Sequence, residues 1–301
     1  MNINQDFYLS SMFMEQRIMN VKNKTLAQWK KFFSQELAHL YEKREIDSLF
    51  SLIFESFGWS RIDLLLKLDS DLSLDEKEKL SSMLDALKEE YPIQYSLGSA
   101  HFDGLEIPVK PGVLIPRQET EELVEWAYNT IGRNSSILDV CTGSGCIALA
   151  LKNRNTNLDV SAIEYSDNAL NQAKNNAEVL NLDINFMQFN VLEEWHFDQK
   201  WDCIISNPPY IPNSDKVRMK KNVLDFEPEM ALFVEDSEPL IFYKQIAEQG
   251  WKVLNKDGYL FFEIHEDLGF ETKSLVEQLG YSNVELRQDL NGKDRMIKAQ
   301  K

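Results

Sequence analysis

The chain has 301 residues, 43% of them hydrophobic, and a net charge of −17 at pH 7. This length suits one large domain with a core of its own and one smaller domain. No apolar run reaches the roughly 18 residues that span a membrane, and the first residues lack the basic and apolar regions of a signal peptide. We therefore expect a cytoplasmic protein with no membrane partner. A surface this acidic repels phosphate backbones, which argues against direct binding of nucleic acid.

The cysteines and the basic residues bear on metal binding and on contacts with a macromolecular substrate. Cys141, Cys146 and Cys203 lack the spacing of metal ligands, so we expect free thiols in a reducing compartment and no metal site. The one dense basic cluster is Lys216-Val217-Arg218-Met219-Lys220-Lys221. It fits either a contact with a macromolecular substrate or the solvated start of a helix, and the sequence does not choose between them.

The first 90 residues show helical spacing only, with 12 basic and 16 acidic side chains. Apolar residues recur on single helical faces in two stripes, and Ser60–Leu66 suits a short third helix. Ser73-Leu74-Asp75-Glu76 has the spacing of a capping box and opens a fourth helix. The pattern predicts a small helical bundle over residues 1–90. The two stripes are Trp29, Phe32, Phe33, Leu37 and Leu40, and then Leu49, Ile53 and Phe57.

Residues 91–117 change character, with four prolines around short extended pieces. Asp103-Gly104 lies at the centre of alternating residues, which is a strong hairpin signal. We expect this segment to be a β-hairpin linker between two domains.

Strands and helices alternate from residue 118 to residue 301, which predicts a doubly wound, mostly parallel α/β sheet of seven strands. The last two strands are joined by a loop too short for a helical crossover, so they should pair antiparallel. The strands are predicted at Ile137–Val140, Val160–Glu164, Ile184–Gln188, Cys203–Ser206, Tyr259–Ile264, Val284–Gln288 and Met296–Ala299. The helices are predicted at Glu119–Thr130, Ile147–Asn153, Asn168–Leu180, Pro239–Leu254 and Asp267–Leu279.

The first of these strands runs into a glycine-rich turn that opens a helix. Gly143 and Gly145 allow positive φ and close approach of a ligand, and a helix N-terminus attracts negative charge. Glu164 ends the next strand, where a carboxylate can bind both ribose hydroxyls of an adenosine. The spacing predicts a nucleoside cofactor, and on its own it does not exclude a dinucleotide.

The loop after the fourth strand is Asn207-Pro208-Pro209-Tyr210. Two prolines fix the backbone and remove two N–H donors. The Asn207 side-chain oxygen and the Pro208 carbonyl can then accept hydrogens from one NH2 group, and the Tyr210 ring can stack on a flat conjugated system. This loop offers nothing for hydride transfer. Together with Glu164 it indicates an S-adenosylmethionine-dependent methyltransferase acting on an amide or amino nitrogen.

Several segments resemble the glutamine methyltransferases that modify bacterial class I peptide-chain release factors. The Asn207–Tyr210 loop is similar to their active-site motif, and the resemblance covers nearly the whole chain. It departs at Cys141, where the family usually has glycine, and at Phe233–Pro239, which replaces a glycine-rich stretch. The other similar segments are Pro92–Gly98, Pro111–Glu121, Phe226-Glu227-Pro228 with Ala231-Leu232, and Asp289–Arg295.

The resemblance implies a seven-stranded methyltransferase sheet with an N-terminal substrate-recognition bundle. The expected reaction moves a methyl group from S-adenosyl-L-methionine to the glutamine amide nitrogen of a Gly-Gly-Gln motif, with S-adenosyl-L-homocysteine as product. The implied partners are class I release factors. The implied catalytic residues are Asn207, Pro208 and Tyr210. The implied substrate-binding residues are these three together with Pro209. The implied cofactor-binding residues are Cys141, Thr142, Gly143, Ser144, Gly145, Glu164, Asn190, Val191 and Asn207.

Two other functions stay open from the residues alone. An adenine methyltransferase acting on DNA or RNA would also use an Asn-Pro-Pro-Tyr loop, but it needs a basic target-reading domain. The second open function is that of a non-catalytic module that binds the adenosyl cofactor. Near the site, Glu263 and His265 end a strand and are interpreted as solvent-facing or capping residues. Arg117 with Glu119 fits either an ion pair that links domains or a substrate contact.

Overall fold

The structure is a computed structural model that describes residues 24–301. The chain divides into two compact units between Leu97 and Gly98. The boundary lies inside the segment from 91 to 117 that the sequence assigns to a linker. Residues 93–97 of that segment form a helix of the first unit, and its hairpin belongs to the second.

Within residues 24–97 the first unit has five helices and no strand of a sheet. Ser73 and Glu76 form the predicted capping box at the start of α4, and Thr25 with Gln28 forms another at α1. The apolar stripes face one another in a core that contains Trp29, Phe33, Phe50 and Phe54. Leu40 lies beyond the end of its helix. The helices are α1 (Leu26–Leu37), α2 (Lys43–Ser56), α3 (Arg61–Leu66), α4 (Leu74–Lys88) and α5 (Ile93–Leu97).

The second unit opens with the predicted hairpin, β1 (Ser99–Phe102) and β2 (Leu105–Pro108). Asp103 and Gly104 both have positive φ, 50° and 76°, as a two-residue turn of this kind requires. Arg154 pairs with Asp103, and the Asn176 amide donates to the Pro108 carbonyl at 3.0 Å. The hairpin is therefore bound to helices of the second unit.

Residues 136–300 of this unit build a seven-stranded sheet with strand order β10-β11-β9-β6-β3-β4-β5. Neighbours from β9 to β5 are parallel, while β11 pairs antiparallel with β9 and β10. This confirms the doubly wound, mostly parallel fold and its antiparallel final pair. The strands are β3 (Ser136–Val140), β4 (Asp159–Glu164), β5 (Asn185–Gln188), β6 (Trp201–Ser206), β9 (Leu254–Glu263), β10 (Ser282–Gln288) and β11 (Asp294–Gln300).

Helices and short elements connect these strands. The five helices predicted for this unit are present, and each begins and ends within two residues of its expected bounds. A two-stranded parallel sheet, β7 (Ile211–Pro212) with β8 (Phe233–Val234), was not predicted. The helices are α6 (Gln118–Thr130), α7 (Cys146–Arg154), α8 (Asp167–Leu180), α9 (Lys221–Leu224), α10 (Glu229–Leu232), α11 (Ile241–Val253) and α12 (Gly269–Gln278), with a 3₁₀ turn over Asn213–Arg218.

A buried carboxyl group ties the first parallel strand to the helix that follows it. Asp139 in β3 accepts hydrogen bonds at Oδ2 from the Thr142 hydroxyl and from the Ala148 backbone N–H. Its Oδ1 is buried with no partner among the described atoms. Burial raises the pKa of Asp139 from 3.8 to about 7, because the low-dielectric interior disfavours the charge.

This carboxyl group makes a testable contribution to pH-dependent stability. Between about pH 4 and 7 the folded state holds a proton that the unfolded state has released, so the group's contribution falls as pH rises. We expect wild type to lose unfolding free energy relative to Asp139→Asn between pH 5 and 8 in chemical denaturation. The exposed Asp198→Asn variant is the control. Parallel pH curves for wild type and Asp139→Asn would contradict the expectation.

Candidate active site

The candidate site lies where the order of the parallel strands reverses. From β3 the chain proceeds to β4 and β5 on one side, and then returns to β6 on the other. Ligands of open α/β sheets bind outside the carboxyl ends of the strands at such a reversal. The glycine-rich loop follows β3, Glu164 ends β4, and Asn207 follows β6, so all three predicted groups meet at this edge.

A cavity of about 350 Å³ opens at this edge. Six of the predicted cofactor-binding residues line it: Cys141, Gly143, Glu164, Asn190, Val191 and Asn207. Its wall also includes residues that the sequence did not single out for binding, among them Gly112, Val113, Leu114, Phe189, Met230 and Phe242. The cavity combines an apolar wall with one carboxylate, as a site for a nucleoside requires.

The loop from 141 to 145 has the backbone that its glycines suggest. Gly143 and Gly145 have φ of 57° and 84°, and a Cβ on Gly145 would lie 3.2 Å from the Cβ of Ala173. Gly145 is the residue that caps α7 and lines no described cavity. Thr142 and Ser144 line a separate cavity of about 30 Å³ that they share with Cys141 and Asn207.

Cys141, where the resemblance leads one to expect glycine, has a φ of 60°. This is the left-handed region, which costs a residue with a Cβ about 1 kcal/mol or more. The loop therefore keeps the conformation that glycine would adopt, at some expense in stability. All three cysteines have free thiols, and Cys203 is buried in β6.

The Glu164 carboxylate is fixed by the backbone around it. Oε2 accepts from the Gly143 N–H at 2.9 Å, and Oε1 accepts from the N–H groups of Tyr165 and Ser166, both at 2.9 Å. A carboxylate offers about four acceptor positions, so this group retains acceptor capacity toward the cavity. Its orientation is set before any ligand binds.

Asn190 and Val191 follow β5 and line the same cavity. The Asn190 Oδ1 accepts from the Leu192 N–H at 3.1 Å, and its Nδ2 donates to Glu193 at 3.2 Å. Val191 is buried, and its carbonyl accepts from the Trp195 indole. These contacts hold the turn that follows β5 at the wall of the cavity.

A second cavity of about 290 Å³ borders the first, and Asn207, Leu114 and Ala231 line both. Pro208 and Tyr210 line the second cavity, whereas Pro209 lines the first. Arg117, Glu119, Glu263 and Arg295 provide its charged wall. Asn207 thus lies at the junction of a nucleoside-sized cavity and a polar one.

Glu263 corrects one interpretation made from the sequence. It does not face solvent: its side chain is buried and accepts from the Tyr210 hydroxyl at 3.0 Å and the Thr120 hydroxyl at 2.6 Å. Burial raises the pKa of Glu263, and burial followed by the Glu263 charge raises the pKa of Tyr210. Position at a strand end did not distinguish an exposed carboxylate from a buried one.

Arg117 pairs with Glu227 at 2.6 Å, and no ion pair with Glu119 is seen among the described residues. Glu227 is buried and also accepts from the Ile115 N–H at 3.2 Å. It therefore connects the segment before α6 to the segment before α10, and both segments line the cavities. The sequence indicated Glu227 only through the resemblance of Phe226-Glu227-Pro228.

His265 contacts the turn that follows β9 and caps no helix among the described residues. Its Nδ1 accepts from the Asp267 N–H at 3.2 Å, and its Nε2 lies 3.2 Å from Asp215 Oδ2. In the basic cluster, Lys216 lies 3.4 Å from Glu229 and Arg218 lies 3.8 Å from Asp215. Met219 from this cluster lines the second cavity.

Within residues 24–301 no group of three or more His, Cys, Asp or Glu side chains is arranged to hold a metal ion. Over the same residues no helix combines the length and apolar character needed to cross a membrane.

Comparison with known proteins places both units in characterised families. Residues 119–225 match the model of the methyltransferase small domain, and residues 28–98 match that of the PrmC N-terminal domain. The 16S rRNA N2 G1207 methyltransferase of T. thermophilus is similar in fold, with a TM-score of 0.50 and 17% identity, covering 67% of this chain and 49% of that one. The seven-stranded sheet is thus that of S-adenosylmethionine-dependent methyltransferases.

Similarity in sequence extends over both units. A release factor glutamine methyltransferase of Flavobacterium psychrophilum is 44% identical over 274 residues, which are 88% of this chain and 95% of that protein. Another from Bacteroides thetaiotaomicron is 37% identical over 270 residues, 89% of this chain and 97% of that protein. The chain belongs to the release factor glutamine methyltransferase family.

Proposed function

We propose that the protein transfers a methyl group from S-adenosylmethionine to the side-chain amide nitrogen of the glutamine in the Gly-Gly-Gln motif of class I release factors. The observation that carries this proposal is the position of Asn207, which lines both cavities. The larger cavity accepts the cofactor and the second accepts the glutamine. The two relatives described above are aligned with this chain over 95% or more of their own length, and both are named release factor glutamine methyltransferases. The reaction makes the protein an enzyme of translation termination, active in the cytoplasm.

The larger cavity fits the adenosyl cofactor. Glu164 accepts from a ribose hydroxyl with the acceptor position that its three backbone contacts leave open. The turn at Asn190 and Val191 contacts the base, and Gly143 allows close approach beside Cys141. When bound, the cofactor supplies an electrophilic methyl group on its sulfonium centre. Thr142 and Ser144 support this loop from the smaller cavity, and Gly145 sets its exit into α7.

The Asn207–Tyr210 loop positions the nucleophile. A primary amide nitrogen is weak because its lone pair is delocalised into the carbonyl, so placement supplies much of the catalysis. Asn207 Oδ1 and the Pro208 carbonyl accept the two amide hydrogens and stabilise the positive charge that develops on nitrogen. Tyr210 packs against the amide plane, and Pro209 forms the wall toward the cofactor. The N-protonated product is very acidic, so no dedicated base is required.

The ribose contact predicts the effect of Glu164→Gln. Glutamine retains one acceptor oxygen but loses the charge and one acceptor, and charge-assisted hydrogen bonds contribute about 1.5–3 kcal/mol. We expect calorimetry to show S-adenosylmethionine affinity reduced on the order of tenfold or more. Glu178→Ala, an exposed glutamate on α8, is the control. Unchanged affinity in a folded Glu164→Gln variant would refute this assignment.

Removal of the Asn207 side chain should affect kcat for methyl transfer much more than the affinity for the cofactor. We expect Asn207→Ala to lower kcat on the order of a hundredfold, since the lost acceptor acts mainly in the transition state. Cofactor affinity should fall by less than about tenfold, because Glu164 remains. Methyl transfer from labelled cofactor, read by mass spectrometry of a release factor, measures kcat. A variant with near-wild-type kcat would remove Asn207 from the mechanism.

The helical unit is the proposed second contact for the release factor. A loop tip makes few contacts, so a second surface raises affinity through effective concentration. On α3, Ile62, Leu65 and Leu66 share one face and are 67%, 72% and 79% exposed. Exposed apolar patches of this kind mark interaction surfaces.

Substitution of this face tests the recognition role. We expect the double variant Leu65→Ser, Leu66→Ser to raise KM for an intact release factor at least several-fold, while KM for a short Gly-Gly-Gln peptide stays the same. Val179→Ser, which replaces a similarly exposed apolar residue on α8, is the control. Equal effects on both substrates would show that the helical unit only stabilises the enzyme.

A further inference from the structure

A buried chain of hydrogen bonds lies behind the Asn207–Tyr210 loop. Asn207 Nδ2 donates to Thr120 Oγ1 at 3.2 Å, and Thr120 Oγ1 donates to Glu263 Oε2 at 2.6 Å. The Tyr210 hydroxyl donates to Glu263 Oε1 at 3.0 Å. Thr120 and Glu263 are each 1% exposed. One carboxylate at the end of β9 thus anchors both ends of the loop that follows β6.

While Glu263 is ionised, only one assignment of donors and acceptors satisfies every hydrogen bond in this chain. An ionised carboxylate only accepts, and a hydroxyl has a single proton. Thr120 must therefore give its proton to Glu263, and its oxygen can only accept from Asn207. The amide NH2 is the one donor that Asn207 can offer there. A flipped amide would place two oxygens against each other without a proton between them.

This arrangement decides which atom of Asn207 is available to a substrate. With one Nδ2 hydrogen bound to Thr120, Oδ1 is the acceptor that the amide offers, and Asn207 lines both cavities at this point. A substrate NH2 group carries hydrogens and requires acceptors, whereas an Asn207 turned the other way would present donors to donors. Building on the function proposed above, we propose that Thr120 and Glu263 are positioning residues that hold Asn207 in the orientation that accepts the glutamine NH2 group.

Burial raises the pKa of Glu263, and the Thr120 and Tyr210 hydroxyls and the positive charge of Arg295 act in the opposite direction and favour the ionised form. Arg295 is itself held by Asp289 at 3.2 Å and by Glu266 at 3.1 Å. Glu263→Gln would bring an NH2 donor to this point, and the Thr120 proton would then be free to turn toward Asn207 Oδ1.

Steady-state kinetics with an intact release factor test the proposal. We expect Thr120→Val and Glu263→Gln to lower kcat on the order of tenfold or more, with KM for S-adenosylmethionine nearly unchanged. Thr120→Ser keeps the hydroxyl and should recover most of the kcat. Thr130→Val is the matched control, because the Thr130 hydroxyl lies at the other end of α6 and donates only to the Trp126 carbonyl at 2.8 Å.

Two additional measurements separate positioning from general stabilisation. In the Asn207→Ala background, Thr120→Val should cause no further loss of kcat, because both residues act through the same amide. In NMR spectra, the Asn207 side-chain NH2 protons should be protected from solvent exchange in wild type and Thr120→Ser, and lose that protection in Thr120→Val. This second readout needs neither cofactor nor substrate.

Each result has a defined meaning. Full kcat in Thr120→Val or in Glu263→Gln, additive losses with Asn207→Ala, or equal losses in Thr120→Ser and Thr120→Val would overturn the positioning role. If Thr120→Val does not fold, Glu263→Gln and the amide protons of wild type decide the question. If wild type methylates no Gly-Gly-Gln substrate, the proposed function fails, and the protection of the Asn207 amide alone then confirms or overturns the orientation.

Discussion

The pairing of β3 with β4 on one side and β6 on the other is the constraint on which the site depends. It places the loops that follow β3 and β6 next to one another at the carboxyl edge of the sheet. The glycine-rich loop and the Asn207–Tyr210 loop are more than sixty residues apart in the chain. Only this strand order brings them around a common point, where Asn207 joins the two cavities.

Buried or half-buried carboxylates hold the loops of this edge in place, each in a different way. Glu164 accepts three backbone N–H groups, and Glu227 accepts one N–H and pairs with Arg117. Glu263 accepts two hydroxyl groups, and Asp139 accepts one hydroxyl and one N–H. These contacts set the loop geometry before a ligand arrives, and those made by ionised carboxylates are stronger than hydrogen bonds between neutral groups. Some of the acidic side chains of this protein therefore stabilise the loops of the site.

The two cavities differ in a way that follows from these contacts. The larger is mostly apolar with the single carboxylate of Glu164, and the second has a wall of both charge signs at Arg117, Glu119, Glu263 and Arg295. A nucleoside is held by apolar contact and a few fixed polar groups. A glutamine amide needs fixed acceptors in a set direction, which is a property of a hydrogen-bond network and not of one residue.

The sequence by itself determined the elements and six of the residues that line the larger cavity. Periodicity and turn signals located the seven strands of the sheet, the Asp103–Gly104 turn and the capping box at Ser73, because each depends on residues close together in the chain. Gly143, Glu164 and Asn207 were found for the same reason, since each lies at or shortly after the end of a strand, whereas Cys141 was indicated by the resemblance. The glycine-rich loop kept its geometry at Cys141 through a strained φ of 60°.

Only the tertiary structure decided how distant side chains meet. Glu263 was interpreted as a solvent-facing or capping residue, and it is instead buried against Thr120, 143 positions away, while Arg117 pairs with Glu227 across 110 positions and not with Glu119. Burial of a strand-end carboxylate depends on which loops cover it, and hydrogen-bond partners depend on the packing of separate elements. Local sequence patterns determine neither the burial of such a carboxylate nor its hydrogen-bond partners. The orientation of Asn207 could therefore be derived only from the folded chain.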